Sequence, residues 1–81
     1  MLPMLAMFSD RRLKEDISKV GDMADGTPIY RYRFKGDPRW QVGLMADEVD
    51  PEAVHTHPSG FKMVDYARAT ERSARLEGLL R

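Results

Sequence analysis

At 81 residues the chain has room for one small domain, and a domain of that size buries only about 60% of the surface that its unfolded chain exposes. No cysteine is present to staple it, which leaves oligomerisation as the remaining source of stability and the redox compartment open. Thirteen acidic and thirteen basic side chains cancel, so no net field draws the chain to nucleic acid or to an anionic membrane.

The first eight residues, Met1-Leu2-Pro3-Met4-Leu5-Ala6-Met7-Phe8, are apolar. They lack a basic start and are too short for a signal peptide or a membrane span. Residues 1–8 are expected to form an interaction strand or the remnant of an upstream segment, ahead of a domain at 9–81. The charged stretch Ser9-Asp10-Arg11-Arg12-Leu13-Lys14-Glu15-Asp16-Ile17 then begins abruptly. It alone sets a candidate nucleophile, Ser9, close to a candidate base, Lys14. A serine hydroxyl attacks a carbonyl only when something takes its proton, and a lysine can do so once burial lowers its pKa from about 10.4. The structural alternative is a short helix capped by Ser9 or Asp10, with Leu13, Ile17 and Val20 as its buried stripe. Positions five apart share no face of a helix or a strand. Ser9 and Lys14 can therefore meet only if Ser9 stands on a turn or the lysine comes from another copy of the chain.

Residues 21 to 28 carry turn chemistry in Gly21-Asp22 and Asp25-Gly26-Thr27-Pro28. Ile29-Tyr30-Arg31-Tyr32-Arg33-Phe34 alternates as a strand with one aromatic face, and after Lys35-Gly36-Asp37-Pro38 the segment Trp40–Met45 returns as its hairpin partner. The interleaved tyrosines and arginines could stack on bases, but a single alternating strand is more often one wall of a core. One or two helical turns are expected over residues 46–54, broken near Pro51. The carboxylates Asp47, Glu48, Asp50 and Glu52 lack the spacing of a calcium loop. His55 and His57 share strand spacing but have no third ligand, so neither a metal nor any other cofactor is assigned. After Pro58-Ser59-Gly60, a short strand over residues 61–64 leads to Asp65, a plausible N-cap. Tyr66, Ala69, Ser73, Leu76 and Leu80 then follow at heptad spacing as a candidate oligomer interface.

The fold expected is α+β: a short N-terminal helix or turn, one small antiparallel sheet from residues 29–34, 40–45 and 61–64, and a C-terminal helix from 66. The core is expected to include Leu13, Ile17, Tyr30, Tyr32, Phe34, Val42, Leu44, Val49, Val54, Phe61 and Val64.

The order Ser9-Asp10-Arg11-Arg12-Leu13-Lys14-Glu15-Asp16-Ile17, Ile29-Tyr30-x-Tyr32, Val42-Gly43-Leu44-Met45-Ala46-Asp47-Glu48-Val49, Pro51-Glu52-Ala53-Val54 and Val64-Asp65-Tyr66 resembles the intramolecular chaperone, or peptidase S74, domain. That domain occurs at the C-terminal end of bacteriophage tail fibres and endosialidase tail spikes, and also in myelin regulatory factor. The resemblance implies a homotrimer that aligns upstream fibre chains for folding and then releases itself by cutting before the motif serine. It places the nucleophile on Ser9, the base on Lys14 and the scissile bond at Phe8–Ser9. The implied partners are the chain's own copies and tail-fibre or other virion proteins, in the virion or in the host cytoplasm during assembly, with no nucleic acid and no membrane. The competing expectation is an uncleaved structural or assembly component of the same kind of particle, without protease activity.

Overall fold

The computed structural model describes residues 6–79. The fold is α+β, built from two three-stranded antiparallel sheets and a C-terminal helix. Strand β1 (Ala6–Phe8) is followed by a 3-10 turn at Arg11–Leu13, and then by β2 (Lys14–Asp22), β3 (Pro28–Phe34) and β4 (Trp40–Gly43). Two further 3-10 turns, Ala46–Glu48 and Pro51–Ala53, lead to β5 (Val54–Thr56), β6 (Lys62–Asp65) and helix α1 (Tyr66–Leu79).

The N-terminal helix expected by spacing is only the single 3-10 turn. Asp10 caps it, accepting a hydrogen bond from the Arg12 amide at 2.9 Å. Beyond it Leu13, Ile17 and Val20 form no helical stripe, because Lys14–Asp22 is a strand paired to β3. Register shifts between Glu15 and Ser18 and between Lys19 and Gly21 break its two-residue period. Asp16 lies in the first shift with φ at +53°, a conformation that aspartate tolerates better than most residues.

The single sheet expected from residues 29–34, 40–45 and 61–64 is divided between two. Strands β2, β3 and β4 form a meander in that order, and β6 lies in the other sheet between β1 and β5. The leader thus supplies an edge strand to the chain's own domain, with Ala6 opposite Asp65, Met7 opposite Val64 and Phe8 opposite Met63. The turn before β5 begins as the sequence suggests, with Pro51 in its first position and Asp50 accepting from the Glu52 amide at 2.9 Å.

The apolar core joins Leu44, Ala46, Val49, Ala53, Val64 and Ala69, with Met23, Ile29, Val54 and Tyr66 packed on its rim. Met45 and Tyr32 are also buried. Val42 is not a core residue: it is 66% exposed, because it pairs with Arg31 on the solvent face of its sheet. Leu13, Ile17, Tyr30, Phe34, Val54 and Phe61 are half-buried rather than central.

Candidate active site

The turn at residues 10–13 solves the spacing problem between Ser9 and Lys14. Ser9 precedes the turn and Lys14 is the first residue after it, so no single helix or strand runs through both. Both side chains are buried, Ser9 at 0% and Lys14 at 3% exposure. Ser9 is held through its backbone, its N–H donating to the Lys62 carbonyl at 3.1 Å and its carbonyl accepting from the Ala46 amide at 2.8 Å. Asp10 locks the turn beside it. Its carboxylate takes the Arg12 side chain at 2.8 and 3.0 Å and the Lys62 amide at 2.9 Å. The bond with the Arg12 guanidinium keeps this carboxyl well below the usual carboxylate range.

The Ser9 hydroxyl lies 3.2 Å from the Tyr66 hydroxyl, and the Leu44 N–H donates to that same Tyr66 oxygen at 2.9 Å. On the other side of residue 44, its carbonyl accepts from Lys14 Nζ at 2.8 Å. Ser9 and Lys14 are therefore joined through Tyr66 and the backbone of Leu44, and each hydrogen-bonds to that bridge rather than to the other. Lys14 Nζ also sits 3.9 Å from the centre of the Tyr32 ring.

No carboxylate pairs with Lys14 among the described ion pairs. Burial disfavours its charged form, the nearby Arg11 charge adds to that, and its pKa falls to about 8. Arg11 itself is neutralised at the surface by Asp47 and Glu48, at 3.3 and 3.2 Å. Burial likewise pushes the Tyr32 phenol up to about 12. Room for two phenols comes from Gly43, where an added Cβ would lie 2.5 Å from the Tyr66 oxygen and 3.0 Å from that of Tyr32.

The Phe8–Ser9 bond sits at the end of edge strand β1, with the Phe8 ring edge-on to His57 at 5.0 Å. Hydrogen-bonded and non-bonded pairs alternate along an antiparallel ladder. Ser9 donates to Lys62, so the preceding pair, Phe8 with Met63, is a non-bonded one. The Phe8 carbonyl is therefore turned away from β6 and takes no part in the ladder.

Of the candidate interface residues, Ala69 and Ser73 are buried against the chain's own fold, and Ser73 Oγ accepts from the Asp25 amide at 3.2 Å. Tyr66 and Leu76 are half-buried, and Leu80 lies outside the described residues. His55 is exposed, His57 is bonded to Ser59, and the described residues contain no cluster of three or more potential metal ligands. Nor is any described helix long and apolar enough to cross a membrane. Sequence reasoning missed Tyr66, Leu44 and Gly43 as parts of the site, although all three lie within the segments that carry the family resemblance.

Residues 9–55, more than half of the chain, match the peptidase S74 family model, described as chaperone of endosialidase. The chain belongs to this family. The match opens on Ser9 and includes Lys14, Gly43 and Leu44, while Tyr66 lies beyond it. No curated protein and no solved structure matches the chain.

Proposed function

We propose that the domain at 9–81 is an intramolecular chaperone of a bacteriophage tail fibre, which trimerises, promotes folding of the fibre chains and cuts itself off at Phe8–Ser9. Its places of action are the virion and the host cytoplasm during assembly, and its partners are its own copies and fibre or other virion proteins. The observation that carries the reading is a buried lysine with no carboxylate on it, joined to a buried serine through Tyr66 and Leu44. Burying a charge without a partner is costly, and a pKa of about 8 leaves about a tenth of Lys14 as free amine at pH 7.

In the proposed reaction Lys14 is neutral and takes the Ser9 hydroxyl proton. Oγ attacks the Phe8 carbonyl carbon, and the bond from that carbon to Ser9 N breaks as the lysine returns the proton to the amine. The resulting ester links Phe8 to Ser9 Oγ. Water hydrolyses it, leaving a carboxyl group on Phe8 and a free amine on Ser9. The Phe8 carbonyl, free of the ladder, is open to attack.

A second reading, an uncleaved structural component of a fibre or virion, is favoured by a different observation: Lys14 Nζ is engaged with the Leu44 carbonyl rather than with Ser9. Intact mass and native mass spectrometry of fresh protein separate the two readings. A trimer of chains beginning at Ser9, with the Ser9→Ala variant left whole, supports the self-cleaving chaperone. A trimer that stays whole for days supports the structural role, and a monomer that stays whole refutes both.

A further inference from the structure

The only side chain described as hydrogen-bonded to Ser9 Oγ is Tyr66, and its phenol already accepts one hydrogen bond, from the Leu44 N–H. The Leu44 N–H can only donate, so at 2.9 Å it takes one accepting position of the Tyr66 oxygen and leaves the phenolic proton without a partner on that side. Ser9 Oγ, at 3.2 Å, is placed to receive that proton. We infer that Tyr66 is a third catalytic residue of the Ser9–Lys14 site, donating its phenolic proton to Ser9 Oγ so that the serine's own hydrogen is left for Lys14; this rests on the self-cleavage reading.

The direction of this hydrogen bond decides what the serine can do. A serine that donated to Tyr66 would spend its hydrogen on a poor base, whereas one that accepts keeps it for the amine. As that proton leaves, negative charge builds on Oγ, and a donor already aimed at it stabilises the charge without reorganisation. Tyr66 keeps its proton throughout. The proton that moves is the serine's, to Lys14 Nζ and on to the leaving amine, and ester hydrolysis restores the Ser9 hydroxyl.

Gly43 is an independent sign that the phenol's position matters. Its backbone is not in the left-handed region, so the glycine is needed for space and not for conformation. A methyl group there would displace the Tyr66 oxygen from both Leu44 and Ser9. The placement also carries a condition, since Tyr66 is the first residue of α1 and follows directly on β6, the strand that pairs with the segment to be cut. The site is complete only when the start of α1 is docked.

The test is the rate of mass loss at Phe8–Ser9 in the full chain, compared among the native sequence, Tyr66→Phe, Ser9→Ala and a protein with the more acidic 3,5-difluorotyrosine at position 66. Tyr66→Phe should slow cutting roughly 100-fold with native mass and far-ultraviolet circular dichroism unchanged. The fluorinated phenol should support cutting at pH 7 but move the alkaline limb of the rate profile to lower pH, because it loses its proton sooner. Tyr32, whose hydroxyl lies beside that of Tyr66 over Gly43, is the same in both proteins. A Tyr66→Phe rate within about threefold of native, or an unmoved alkaline limb, overturns the inference and leaves Ser9 and Lys14 standing. A native chain that stays whole like Ser9→Ala refutes self-cleavage, and the role of Tyr66 with it. If Tyr66→Phe does not fold, the fluorinated protein, which retains the hydroxyl, decides.

Discussion

The buried lysine makes a thermodynamic prediction that does not depend on cutting. In the unfolded chain Lys14 titrates near its ordinary value of 10.5, and in the folded domain near 8. Between those values the unfolded state holds the extra proton, so folding stability rises with pH, and below pH 8 the cost of burying the ammonium is felt in full. From pH 7 to 9.5 this group alone should add about 2 kcal/mol to the stability of the domain, a large share for a chain of this size. The upper limit is chosen because Tyr32, raised to about 12 by burial, stays neutral in the fold over that range and is only about a quarter ionised when unfolded at pH 9.5. The assay is urea unfolding of Ser9→Ala and of Ser9→Ala with Lys14→Met, at pH 7 and 9.5 and equal protein concentration. Methionine fills similar volume without a charge, so every other titration cancels in the difference. The lysine protein should gain about 2 kcal/mol on the methionine one; parallel pH dependences within about 0.5 kcal/mol would refute the claim that Lys14 is a desolvated cation.

If self-cleavage occurs, its rate should climb with pH through about 8 and flatten towards pH 9.5, since only the free amine of Lys14 accepts the serine proton; mass loss across buffers of pH 6 to 9.5 reads this directly. Asp10→Asn should cost about 1–3 kcal/mol, read by urea unfolding at pH 7, because the carboxylate holds both Arg12 and the Lys62 amide. The native chain should also lose that stability as pH falls below about 4 and through the depressed folded value of Asp10, a loss that Asp10→Asn lacks. Gly43→Ala should destabilise by about 1–3 kcal/mol by thermal unfolding, through the contact of its methyl group with the two phenols. Val64→Ala, in the buried centre, should cost about 2 kcal/mol, while Val42→Thr on the exposed face should stay within about 0.5 kcal/mol.

What could be read from sequence was what repeats locally. The alternation of Ile29–Phe34 identified β3 because one sheet face really is aromatic, and Asp65 marked the start of α1 by accepting from the Arg68 amide at 3.1 Å. Strand β2 was hidden because its two register shifts replace alternation with spacings that imitate a helix at Leu13, Ile17 and Val20. Val42 was misplaced because an edge strand exposes apolar side chains that the sequence cannot tell from inward ones. Ser9 and Lys14 stand out in the sequence by residue type, and the fold joins them only through Tyr66 and the backbone of Leu44. Tyr66 was assigned only to the heptad pattern, since nothing local announces a hydroxyl contact spanning 57 positions.

The segment from Lys62 to Tyr66 ties the fold to the candidate site. Its first residue takes the Ser9 amide and gives its own amide to Asp10, its middle pairs with the leader, and its last supplies the hydroxyl beside Ser9. One continuous piece of backbone therefore sets the register of the Phe8–Ser9 bond and the position of the Tyr66 hydroxyl beside Ser9. Slippage by one residue would turn every side chain of β6 to the opposite face and carry Val64 out of the core. The site is thus assembled by the same pairing that buries the core, and a misfolded leader cannot meet it. If the bond is cut as proposed, a three-residue strand with no covalent tie is too short to hold its place on an edge. The same pairing that presents the bond would then release the product.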